Sequence, residues 1–150
     1  MTAYSPFCLT DELIVNHPPE KVWGMIAAPQ QSRWNKALPE FSTSMGALTG
    51  SIWQLVLQTL AGPKALELEV LESQPPLHLQ LEHQFRYWLL SHRLTVSIHC
   101  LPIDPNRTRL SMSFAIDGYF ASRYWPRFAH QFQLSLDLWL NSIKEYWENQ

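Results

Sequence analysis

Two histidines give this sequence its clearest candidates for chemistry. His83 and His92 flank the segment Gln84–Leu90, in the alternating stretches LHLQLEHQF and SHRLTV, and both fall on the parity of Leu79, Leu81, Leu94 and Val96. If the segment is a hairpin that sets Leu81 against Leu94, the two imidazoles face one another on the apolar side. A facing pair can orient a polar ligand group, act as acid and base near neutral pH, or supply half of a metal site. The plainer reading is a half-exposed pair at a sheet end, bonded to water or backbone. No Cys or carboxylate shares their face, which falls short of the usual ligand set, so no metal is expected. His78 and His99 fall on the opposite, outer face.

Sharper catalytic patterns are missing. The sequence holds no GxSxG, Walker A loop, GxGxxG, HExxH or CxxC. Ser91 and Ser113 lack a base and a third group, and Glu67, Glu69 and Glu82 have outward parity and read as solvated surface. Asp117-Gly118 reads as a turn and helix cap. The tip Gln84-Phe85-Arg86-Tyr87-Trp88-Leu89-Leu90 has no Gly, Asn or Pro, yet carries three aromatics and two leucines. Phe85, Tyr87 and Trp88 could form a lid, a membrane-touching edge or a contact for a protein partner, or simply pack against the first helices.

The elements that must position these groups follow from periodicity. Residues 8–16 read as an opening strand ended by His17-Pro18-Pro19; a helix follows from Pro19, with Val22, Trp23 and Ile26 on one side, and Pro29 closes it. A second short helix is expected over Gln31–Ala37, carrying Trp34. From Phe41 to Ile116 the period is two, as in an antiparallel meander.

Facing residues of a hairpin share one register, and the apolar positions suggest each. Trp53, Leu55 and Leu57 are set against Val70, Leu68 and Leu66. Val70, Leu68 and Leu66 are then set against Leu77, Leu79 and Leu81, which in turn meet Ile98, Val96 and Leu94. Ile98, Val96 and Leu94 then meet Leu110, Met112 and Phe114. Polar residues share the other face, with Glu82 beside Arg93. Finally, Ala121–Glu148 lacks glycine and repeats Trp125, Phe128, Phe132, Leu136, Trp139, Ile143 and Tyr146 at helical spacing. At about 1.5 Å per residue that helix is about 40 Å long, enough to cross a whole sheet.

The chain of 150 residues is 46% hydrophobic, 16% charged and 13% aromatic. That composition excludes disorder and coiled coil and fits a single α+β domain over residues 1–150. A net charge of -2 without any basic stretch disfavours nucleic-acid binding. Cys8 and Cys100 fit two thiols in a reducing compartment. Nothing in the sequence reads as a secretory leader or as the roughly 20 apolar residues of a membrane span, so a cytoplasmic protein is expected.

In order and spacing, His17–Trp23 (HPPEKVW), Arg33–Phe41 (RWNKALPEF), Thr49–Trp53 (TGSIW), Glu69–Leu81, Ser91–Val96 and Asn106–Phe120 resemble the SRPBCC superfamily. This group holds START, Bet v 1-like and polyketide cyclase/dehydrase proteins with the helix-grip fold. Asp104-Pro105-Asn106 departs from it where glycine is frequent. The resemblance implies a curved antiparallel sheet wrapped around the long C-terminal helix, two short helices after the first strand, and an elongated apolar cavity between sheet and helix. Parity and helix face then name its lining: Trp53, Leu55, Leu68, Leu79, Leu81, His83, Leu94, Val96, Met112 and Phe114 from the sheet, Phe128, Phe132 and Leu136 from the helix, and Trp34 at the mouth. Three functions follow as expectations. The first is binding of a small hydrophobic molecule, a lipid, aromatic or polyketide-like compound, with no cofactor. The second is a cyclase or dehydrase using His83 or His92 as acid and base, and the third is a protein-interaction module.

Overall fold

A strand turns successive side chains to opposite faces, so the alternation from Phe41 onward dictates a sheet with one apolar side. The computed structural model describes residues 7–27, 35–87 and 90–148. Its elements are β1 (Cys8–Val15), α1 (Pro19–Ala27), β2 (Glu40–Thr43), β3 (Ile52–Thr59), β4 (Gly62–Gln74), β5 (His78–Tyr87), β6 (Leu90–Asp104), β7 (Arg107–Gly118) and α2 (Ala121–Glu148). One seven-stranded antiparallel sheet runs in the order β1-β7-β6-β5-β4-β3-β2. Strands β2 to β7 follow one another as hairpins, and β1 adds to the free edge of β7.

Pro18 sets the start of α1, its carbonyl accepting from the N–H groups of Lys21 and Val22. Val22, Trp23 and Ile26 are buried, as their spacing predicts. The expected second helix falls mainly on residues outside the described ones, Trp34 among them. Its last residues, Asn35–Ala37, form a turn instead: Asn35 Oδ1 accepts from Ala37 N–H at 3.0 Å, and Lys36 N–H donates to Ser142 Oγ at 3.1 Å. The described residues therefore hold two helices.

The meander has the expected faces but different partners. Trp53 pairs with Leu68 and Leu55 with Leu66, two residues from the expected register. The connection is the two-residue Leu60-Ala61, tied by Thr59 Oγ1, which donates to Gly62 O and accepts from Ala61 N–H. Pro63 thus lies within β4, opposite Gln58. Between β5 and β6, Leu79 pairs with Ile98 and Leu81 with Val96, again displaced by two, because both strands run on into the aromatic tip. Ile98 likewise meets Met112, and Val96 meets Phe114. The Asp104-Pro105-Asn106 turn holds without glycine, since Asp104 accepts from Asn106 N–H at 2.9 Å and from Arg107 Nε at 2.6 Å.

The largest departure is between β4 and β5. Val70 pairs with Leu81, not Leu77, and a bulge at Leu71 shifts the parity of β4 so that Ser73 meets Leu79. Leu77, expected on the inner face, lies in the turn and is 45% exposed. Glu82 departs as well. It is buried opposite Thr95, accepting from Gln84 Nε2 at 2.8 Å, with Arg93 Nη1 at 4.0 Å.

Gly118 joins the sheet to α2 with φ at +139°, a region that favours glycine, and a Cβ there would sit 2.6 Å from Cδ2 of His92. Arg93 Nη2 holds the neighbouring Asp117 at 2.8 Å. Gly118→Ala combines backbone strain with overlap against a buried ring and is expected to cost about 2 kcal/mol or more in urea unfolding. A loss below about 0.5 kcal/mol would show that the ring yields freely.

Candidate functional site

The grip is uneven. The backbone of α2 comes closest to β1, β7 and β3, the two flanks of the sheet, while α1 packs on β6 and β7. Between the flanks, β4, β5 and β6 are reached mainly by side chains. This is where the expected cavity falls, and in this structure it is a packed layer. Trp53, Leu55, Leu68, Leu79, Leu81, Leu94, Val96, Met112, Phe114, Phe132 and Leu136 are each no more than 4% exposed, so their side chains fill the space between sheet and helix. Ser135 Oγ donates to Gln58 O at 2.6 Å and Leu60 N–H to Gln131 O at 3.0 Å, fastening the middle of α2 to the β3–β4 hairpin.

Toward the start of α2 the packing loosens. Phe128 is half-buried and stacks on Phe132 at 4.3 Å between centroids; Trp125 stacks on Phe128 at 5.8 Å, and Phe7 meets Trp125 at 5.9 Å. These rings form a partly exposed ramp leading to the buried Phe132. Of the expected contact residues, Phe85 is half-buried at this end. Trp88 and the side chain of Tyr87 lie outside the described residues.

The two histidines do not face each other. His83 pairs with Leu94, and His92 pairs with Phe85, because the register is displaced by two. His92 is almost fully buried, not half-exposed, and it holds the fold together. Its Nε2 accepts from Phe120 N–H at 3.0 Å, which places the ring proton on Nδ1, and the ring lies between Phe85 at 5.3 Å and Phe120 at 6.0 Å, with Tyr124 edge-on. His83 is half-buried and more available. Its Nδ1 lies 2.8 Å from Glu67 O; a carbonyl only accepts, so Nδ1 carries the proton and Nε2 is the acceptor nitrogen.

That contact marks a parting in the sheet. The β4–β5 ladder spans Glu69–Gln74 against His78–Glu82, while Gly62–Leu68 pairs with β3 and His83–Tyr87 with β6. The His83 side chain thus takes a carbonyl that a neighbouring strand would otherwise bind. Beside it an open groove of about 670 Å³ crosses β2, β3 and β4, lined by Phe41, Leu55, Val56, Ala65 and Leu66 with Glu40, Ser42, Gln54, Glu67 and His83. Of the lining read from the sequence, this groove takes in Leu55 and His83. It mixes residues of both parities, so alternation alone does not find it.

Other polar clusters offer less chemistry. The outer His78 and His99 stack at 4.2 Å, with Glu72 Oε1 3.8 Å from His78 Nδ1. Among the described residues no three His, Cys, Asp or Glu side chains are placed to hold a metal ion. Burial pushes the Cys100 thiol up to about 12, which makes it a poor nucleophile. Among the described residues no helix is long and apolar enough to cross a membrane.

No family model matches this sequence, and no curated protein does. Solved structures do. The Zhui aromatase/cyclase from Streptomyces sp. R1128 superposes with a TM-score of 0.75 at 10% identity, over 94% of this chain and 93% of its own. Protein Ms6760 from Mycobacterium smegmatis gives 0.70 at 14% identity, over 93% and 90%. An HSP90 activator from Plasmodium falciparum gives 0.53 at 17% identity, over 72% and 71%. The chain has the helix-grip fold. At such identities the likeness concerns architecture alone, the curved sheet closed around its last helix.

Within this helix-grip domain, Leu68→Ala is expected to cost about 2–5 kcal/mol in denaturant unfolding, as for any close-packed core leucine. A loss below about 1 kcal/mol would mean that the site already borders open space. His99 supplies a pH test. Burial, then the neighbouring His78, lowers its pKa below the usual 6.5. Between that value and the lowered one the unfolded chain binds more protons than the folded chain, so stability falls as pH drops through this window and levels off below it. His99→Gln should flatten that slope, and an unchanged slope would show that other groups set it.

Proposed function

We propose that this protein takes up a small apolar or aromatic molecule, which enters where β4 and β5 part and lies against the inner face of the sheet. The observation that carries the reading is the parting itself. The ladder stops at Glu69 and Glu82, and His83 bonds Glu67 O at the head of a groove whose volume suits a small-molecule site. Support also comes from the partly exposed ramp of Trp125 and Phe128, which offers flat apolar surface near the same end of α2.

In this reading the apolar body of the ligand meets Phe41, Leu55 and Leu66, and removal of that surface from water supplies the affinity at about 25 cal/mol per Å². His83 Nε2 accepts one hydrogen bond from the ligand and fixes its orientation. The packed layer deeper in the grip opens by side-chain rearrangement as the ligand enters.

Native mass spectrometry of the purified protein, followed by extraction, should find an apolar or aromatic compound bound at near-unit stoichiometry. Protein that carries nothing and fails to brighten an apolar dye would remove the reading and direct attention to a protein partner. Ala65→Trp, at an exposed position lining the groove, should lower dye uptake by about tenfold while unfolding near the wild-type midpoint. His83→Ala should leave uptake of a purely apolar dye within about twofold of wild type. Turnover of a bound compound that disappears in His83→Ala, with binding retained, would make the site an enzyme of the cyclase or dehydrase kind.

A further inference from the structure

One residue breaks the apolar alternation of the inner face in a way the binding reading leaves unused. On β4, Leu66, Leu68 and Val70 point inward and are buried, and the same parity brings Lys64 onto that face, opposite Leu57. It is the only Lys or Arg with inward parity on the described strands. Its Nζ lies 5.4 Å from the centroid of Phe132, over the ring at the inner end of the aromatic ramp. The other charged groups of β4, Glu67, Glu69 and Glu72, have outward positions, and among the described residues Lys64 makes no ion pair. Because β4 and β5 are antiparallel, the N-terminal end of β4 and His83 near the end of β5 stand at the same end of the sheet.

A cation held over an aromatic ring, with no carboxylate to neutralise it, is matched by a ligand that is flat and negatively charged. We infer that the ligand is an aromatic or conjugated molecule bearing an anionic group such as a carboxylate, with Lys64 taking the charge and the ring system lying on the apolar inner face beside it. This rests on the binding reading above and narrows it from apolar molecules in general to aromatic anions. The ammonium remains partly hydrated, so its contribution is one charge-assisted contact and its effect falls with added salt.

The test uses two dyes that share a ring system, anilinonaphthalene sulfonate and the neutral phenylnaphthylamine. The wild-type chain should bind the sulfonate more tightly than the neutral dye. Lys64→Met, which keeps the aliphatic stem, should weaken sulfonate binding about five- to tenfold and leave the neutral dye within about twofold. Lys64→Arg should restore sulfonate binding, and added salt should weaken it in the wild type more than in Lys64→Met. Equal effects of Lys64→Met on both dyes, or none on the sulfonate, would overturn the inference while leaving uptake of apolar molecules standing. Failure of the wild-type chain to bind either dye would overturn both. Lys64 is exposed, so these variants are expected to fold, and an unchanged unfolding midpoint checks that.

Discussion

Covering one apolar sheet face with one helix is the constraint on which this structure depends. Strands β3 to β7 each turn a row of Leu, Val, Ile, Met or aromatic side chains to the same side, and α2 lies across that side as its principal cover. A flat sheet of seven strands is far wider than a helix. The sheet therefore curves until its flanks, β1 and β7 on one side and β3 on the other, come against α2. The middle strands then stand off from the helix backbone, and large side chains such as Trp53, Phe114 and Phe132 fill the interval. Curvature, a packed central layer and a potential cavity are thus one geometric fact. Whether the interval is filled or open depends on side-chain volume, and here it is filled.

The same constraint explains why faces were legible in the sequence and partners were not. Which face a residue takes depends on parity, and an error of two residues in register leaves parity untouched. Leu68 is inward whether it faces Leu55 or Trp53. Partner identity depends on the turn, and two of the turns here use little of the usual vocabulary. Leu60-Ala61 is tied by a threonine hydroxyl, and β5 and β6 run on into a tip with no glycine, asparagine or proline. The bulge at Leu71 is harder still, since it changes parity within one strand for the sake of the turn beyond it. The aromatic spacing of Ala121–Glu148 needed no partner to be read, and α2 spans that segment.

The histidines show what such a register error does to a reading of function. His83 and His92 share a face, so parity suggested a pair. A displacement of two residues separates them into different tasks. His92 meets Phe85 and Gly118, accepts the N–H that precedes α2, and joins the last strand to the covering helix. Its task is mechanical, and the absence of a Cβ at Gly118 makes room for it. His83 reaches across the parting to Glu67 O, and its other nitrogen is left to accept. Residue type alone gave both the same chemistry, and the hydrogen bonds tell them apart.

Polarity along the inner face is graded, and the gradient has a direction. Around Leu79, Ile98, Cys100 and Leu110, where β5 begins and β7 is young, the face is closed and mostly apolar. Toward the β3–β4 and β5–β6 turns it acquires Lys64, His83 and the partly exposed Phe85, and the start of α2 adds Trp125 and Phe128. Burying a polar group without a partner is costly, so a molecule with one charged end and one apolar end fits this face in a single orientation, apolar end first. Aliphatic packing at one end stabilises the fold without any ligand. The other end carries every inward polar group just discussed, and there His83 closes by one side-chain hydrogen bond a seam that the strands leave open. On the proposed binding reading, stability and uptake fall at opposite ends of one face, which lets the entrance loosen without unfolding the grip.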